Sequence, residues 1–166
     1  NLGVLGYDVT TGYTGRSPLE AGAMGVDLAE DDLAFRCNLV NLADDYKIMG
    51  DFSAGHITTQ DATQLINFIN QKLGSKQFSF HPGVSYRHLL VWHGGREQLT
   101  TIPPHDISDR PIDGHLPTGI DSAPINALMQ ESWKILADHP VNQRKQKAGE
   151  VTANSIWLWG QGRKPK

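Results

Sequence analysis

Residues 33–42 read LAFRCNLVNL, in which Phe35, Cys37 and Leu39 alternate with Arg36 and Asn38. Alternation with a period of two marks a strand with one buried face. An arginine held in mid-strand is costly unless it meets a carboxylate or phosphate whose oxygens match its fork. The stretch therefore predicts a first sheet strand and a polar row along one of its faces. The next residues, DDYKIMGD (44–51), read as a turn and a short returning strand.

Working outward, Thr58 or Thr59 can cap a helix in which Ala62, Leu65, Ile66, Ile69 and Leu73 recur at helical spacing, with Gly74 as its stop. QFSFHPGVSYRHLLVWHGG (77–95) reads as two strands around a turn at His81-Pro82-Gly83, the second running from Tyr86 to Trp92. The Pro- and Gly-rich TTIPPHDISDRPIDGHLPTG (100–119) is too long and stiff for an idle connector. Ser122 can cap a second helix with a stripe of Ile125, Leu128, Met129, Ile135 and Leu136, ended by His139-Pro140. Ser155 to Trp159 form the last strand, with Trp157 and Trp159 expected in the core. The order β-α-β-β-α-β predicts an α+β ferredoxin-like plait, an antiparallel sheet with two helices on one face. Its other face, carrying Arg36 and Asn38, needs a cover: a ligand, a partner or another domain. Glycine-rich residues 1–30 read as an N-terminal arm of loop and short helix.

Bulk properties narrow the function classes. A length of 166 residues suits one domain plus an arm, and 39% apolar with 20% charged residues is ordinary globular composition. No apolar run approaches the ~20 residues of a membrane helix. A net charge of −3 leaves no footprint for a polyanion, and NQRKQKAG (142–149) reads as a solvated helix end. Neither nucleic acid nor membrane is expected as a partner. Cys37 is the only cysteine, which rules out an internal disulfide and favours a reducing compartment. The abrupt NLGVLGYD opening and ANSIWLWGQGRKPK ending suggest a piece of something larger.

Five histidines, His81, His88, His93, His105 and His115, fall in one stretch, yet their spacing matches no metal motif. Ser53 lies near Asp51 and His56, but the surroundings are not G-x-S-x-G and a capping turn is the simpler reading. More informative are the fixed cations Arg16, Arg36 and Arg87, with the loop pair His105-Asp106. For Arg36 and Arg87 a salt bridge and an anion site remain equal alternatives.

The stretches VLGYD, YTGRSPLEAGAMG, LAFRCNLV, SAGHI, GVSYRHLLV, PPHD, HPVN and ANSIWLWGQG, in this order across nearly the whole chain, resemble the archaeal-type cofactor-independent phosphoglycerate mutases. These are metalloenzymes of the alkaline phosphatase superfamily, and the likeness is greatest to their bacterial branch, which includes proposed homoserine kinases. The resemblance implies that residues 1–30 derive from a neighbouring catalytic core, 31–160 form an inserted substrate-binding lid, and 161–166 lead back to the core. It implies a cytoplasmic enzyme interconverting 3- and 2-phosphoglycerate through a phosphoserine. Two divalent metal ions (Mn, Zn or Mg) and the nucleophile are implied for the full-length enzyme, and no catalytic or metal-binding residue for this segment. The partners implied are a small phosphorylated substrate and the metal-binding core of the same chain. Substrate contacts fall to Arg36 and Arg87 as clamps, Asn38 as their hydrogen-bonding neighbour, and His56, His88, His105 and Asp106 at the interdomain face. Archaeal members typically carry two arginines around Ser53 and His56, so another phosphomonoester is an alternative substrate, and a free-standing anion-binding plait an alternative function.

Overall fold

The computed structural model describes residues 16–164. The elements are α1 (Arg16–Ala23), β1 (Leu33–Ala43), β2 (Ile48–Asp51), α2 (Thr59–Leu73), β3 (Phe78–Val84), β4 (Arg87–Trp92), α3 (Ala123–Leu136), α4 (Pro140–Lys147) and β5 (Ser155–Arg163), with a 3-10 turn at Pro104–Ile107. Residues 1–15 of the expected arm, and 165–166 of the tail, lie outside the described residues, as does the side chain of Arg16.

The main sheet runs β3-β4-β1-β5, every pair antiparallel, and β2 folds back on the end of β1. This is the strand order of the split βαβ plait expected from the sequence. Phe35, Cys37 and Leu39 face α2 and α3, sharing a core with Leu65, Ile66, Ile69, Ile125 and Met129. Thr58 caps α2 as expected, its Oγ1 accepting the Asp61 N–H at 3.2 Å. Gly74 ends that helix with φ −66°, so its role is not left-handed freedom. A Cβ there would collide with the Asn70 carbonyl oxygen, whose bond to the Gly74 N–H closes the helix.

The structure corrects four readings. β1 is buried on both faces, not half-buried. Its second face is covered by the chain itself: Ala21 of α1 and Leu28 pack on Ala34, Leu89 and Val91, and the loop after β4 crosses β5. That loop is pinned by Trp157 Nε1–H donating to Ile102 O (2.8 Å) and Gln161 Nε2–H donating to Leu99 O (3.1 Å). The β3–β4 turn lies at Ser85-Tyr86, not at His81-Pro82-Gly83, which instead bulges the edge strand between His81 and Val84. An edge strand tolerates Pro82 there. Ser122 does not cap α3, because its hydroxyl donates to Gly119 O (2.8 Å). Pro140 ends one helix region by starting another, with His139 Nδ1 accepting the Val141 N–H at 3.0 Å; proline suits that first turn because it has no N–H to leave unpaired.

Candidate functional site

The β1–β4 and β1–β5 registers decide which side chains share the second face. Arg36 stands opposite Trp159 on β5, and Asn38 opposite Arg87 on β4 and Trp157 on β5. Directly opposed residues of antiparallel strands project from the same side, so Arg36, Asn38 and Arg87 share one face. Arg36 is 8% exposed, with its guanidinium carbon 4.7 Å from the Trp159 ring centroid and its Nη2 3.9 Å from Glu20 of α1. Asn38 Oδ1 accepts the Trp159 Nε1–H at 3.1 Å. Arg36 thus meets a distant carboxylate, the salt-bridge alternative raised for it, together with an aromatic platform that the sequence reading did not raise.

Arg87 behaves differently. It is exposed, its guanidinium carbon lies 5.5 Å from the Tyr86 ring, and among the described residues no carboxylate pairs with it. Tyr86 is the hub of a run of edge-on ring contacts. His56 lies 6.2 Å and Phe52 6.0 Å from it; Phe52 lies 6.2 Å from His105, which lies 5.6 Å from Trp159. One continuous strip therefore joins Arg87, His56, His105 and Arg36, with Asn38 beside Trp159 and Asp106 beside His105 (3.6 Å). Six of the seven residues expected from the sequence are gathered there. Sequence reasoning missed the linking rings Phe52 and Tyr86; an aromatic next to an arginine at a strand end was the available signal.

His56 is held by the turn after β2. Ser53 Oγ donates to Asp51 Oδ1 (2.6 Å), so it must accept from His56 Nδ1–H (3.2 Å), which leaves Nε2 for an external partner. Ser53 itself is buried and its hydroxyl proton goes to the carboxylate, the capping-turn reading rather than a nucleophile.

His88, the seventh residue, projects to the opposite face, where it stands across from Cys37. Its Nδ1 accepts the Gly83 N–H at 2.8 Å and its Nε2 donates to Ser85 O at 2.6 Å. Both nitrogens are used by the turn. Burial pushes its pKa down to about 4, with the bond to Ser85 O opposing. Among the described residues no group of three or more His, Cys, Asp or Glu side chains is arranged to hold a metal ion. A groove of about 420 Å³ beside Tyr46, Asn142 and Asn154 contains none of the strip residues.

Fold and face together define an α+β plait domain that collects cations and aromatic rings along one edge of a covered sheet. The family model of 2,3-bisphosphoglycerate-independent phosphoglycerate mutase matches residues 1–142. A Geobacter sulfurreducens protein named "Probable 2,3-bisphosphoglycerate-independent phosphoglycerate mutase" is 50% identical over 168 aligned positions, covering 100% of this chain and 42% of the relative. The 2,3-bisphosphoglycerate-independent phosphoglycerate mutase of Methanosarcina barkeri is 47% identical with the same coverage. The solved cofactor-independent phosphoglycerate mutase of Thermoplasma acidophilum superposes with a TM-score of 0.74 at 30% identity, over 97% of this chain and 45% of that one. The chain belongs to the 2,3-bisphosphoglycerate-independent phosphoglycerate mutase family. It spans 42% of the length of these two curated relatives. No described helix is long and apolar enough to cross a membrane.

Proposed function

We propose that this chain is the substrate-binding lid domain of a phosphoglycerate mutase that interconverts 3- and 2-phosphoglycerate. Residues 31–160 form the lid, and residues 1–30 and 161–166 connect it to a metal-binding core supplied by the remainder of the enzyme. The observation that carries the reading is the strip joining Arg87, His56, His105 and Arg36 in a member of this family. Arg87 presents an exposed fork for a carboxylate or phosphate. Arg36, stacked on Trp159, adds fixed positive charge, and Asn38 fixes that ring through its indole N–H. His56 offers Nε2 as an acceptor to a substrate hydroxyl, and the exposed His105-Asp106 pair lies at the interdomain face.

The chemistry requires such a lid. In a mutase the glycerate must be retained and reoriented while its phosphoryl group rests on a serine of the core, because entry of water at that stage turns the enzyme into a phosphatase. Closure of a cationic face over the substrate holds the glycerate and excludes water. The divalent metal ions of the resemblance belong, in this reading, to the parts of the relatives that this chain does not cover, where they would activate the nucleophile.

The test is interconversion of 3- and 2-phosphoglycerate by the full-length protein with added Mn²⁺, with the 166-residue chain as control. Activity confined to the long form is the expected result. Phosphatase activity without mutase activity would shift the substrate to another phosphomonoester.

A further inference from the structure

On the same sheet face, at its β3 margin, lies a second polar arrangement made of Asp32, Ser79, His81 and His93. Asp32 is buried just ahead of β1; its Oδ2 accepts the Ala29 N–H at 2.9 Å and its Oδ1 lies 2.9 Å from His93 Nδ1. An ionised carboxylate can only accept, so the proton of that contact sits on Nδ1, and the neutral ring presents Nε2 as an acceptor. Ser79 Oγ lies 3.2 Å from that Nε2 and 2.9 Å from His81 Nε2. With the serine proton directed to His93, His81 donates its own Nε2–H to the same oxygen.

Strand register explains how residues so far apart in sequence meet. Leu33 pairs with Trp92, which brings Asp32 beside His93, and Ser79 pairs with Val91, one pleat from His93 on the same face. The order of partners separates this cluster from the turn at Asp51. There the serine is buried and sits between carboxylate and imidazole. Here the imidazole stands between a buried carboxylate and a half-buried serine, so that carboxylate orients base and base faces hydroxyl.

We propose that Asp32, His93 and Ser79 form a nucleophilic relay that makes Ser79 reactive toward activated acyl and phosphonyl esters. The geometry supplies a nucleophile hydrogen-bonded to its base and a base hydrogen-bonded to its orienter. With a fluorophosphonate, Ser79 Oγ forms a bond to phosphorus, the P–F bond breaks and fluoride leaves. The hydroxyl proton passes to His93 Nε2, and Asp32 holds the resulting imidazolium through Nδ1–H. His81 acts as a positioning residue at Oγ. Burial lowers its pKa, which favours the neutral ring that this arrangement uses.

The experiment treats the full-length protein with a fluorophosphonate probe, followed by tryptic digestion and fragment-ion sequencing of the peptide 77–87, which contains both Ser79 and Ser85. The adduct is expected on Ser79 at a rate roughly 100-fold or more above that of Ser85, the lower end of what a positioned general base contributes. Asp32→Asn should slow labelling about 10-fold or more and His93→Gln should reduce it to the background of Ser85. Absence of a Ser79 adduct in the unmodified protein overturns the proposal, and so does labelling that is unchanged in folded Asp32→Asn and His93→Gln.

Discussion

His88 makes the fold sensitive to acid by an amount that can be worked out from its surroundings. Burial lowers its pKa from the ordinary 6.5 to about 4, so the native state resists a proton that the unfolded chain accepts. A depressed histidine contributes its full stability above pH 6.5 and loses it as pH falls toward 4. The slope is about 1.4 kcal/mol per pH unit, giving roughly 3 kcal/mol over the whole interval. His81 and His139, both also lowered by burial, add slopes of the same sign. A comparison with His88→Leu therefore isolates the His88 share. The variant loses the partners of Gly83 N–H and Ser85 O and should be less stable at about pH 7 by ~2–4 kcal/mol. Its stability should then fall with acid less steeply than that of the parent chain, by up to ~3 kcal/mol between about pH 7 and pH 4. Urea unfolding followed by tryptophan fluorescence at a series of pH values measures both. Parallel pH curves for the two proteins would refute the reasoning.

Asn142 is buried, donating through Nδ2 to Leu136 O and Ala153 O and accepting the Ala153 N–H, so Asn142→Ala should cost about 3 kcal/mol and lower the melting temperature in a thermal scan. Cys37 is fully buried and burial pushes its thiol well above the ordinary range, so Ellman's reagent should find no reactive thiol in the native protein and one in urea. Arg36→Ala should destabilise the domain by about 1–2 kcal/mol in urea titrations, because it removes the cation and the side-chain stem that cover Trp159.

The plait was legible because its two helical stripes and the alternation in LAFRCNLV are local signals, and the observed strand order follows from them. The cover over Arg36 and Asn38 was not, because it depends on α1 and the loop after β4 reaching the sheet across long sequence separations. The start of α4 escaped because proline both ends and begins helices, and only the His139 cap decides between them. The positions Arg36, Asn38, His56, Arg87, His105 and Asp106 were found as residue types, and it took the register and the rings of Phe52, Tyr86 and Trp159 to join them. His88 was indistinguishable in sequence from a surface histidine, since its role rests on a turn shifted beyond His81-Pro82-Gly83. The Asp32-His93-Ser79 set carries no sequence spacing at all.

The most direct measurement of the central claim is kcat/KM for 3-phosphoglycerate in the full-length protein with Arg87→Ala. Arg87 is exposed and among the described residues has no carboxylate partner, so its removal should change stability by no more than ~0.5 kcal/mol. Loss of a charge-assisted contact to substrate is worth ~2–3 kcal/mol, which predicts a fall in kcat/KM of roughly 30- to 150-fold with an unchanged unfolding midpoint. An active enzyme whose kcat/KM is unaffected by the substitution would contradict the assignment of this face to the substrate.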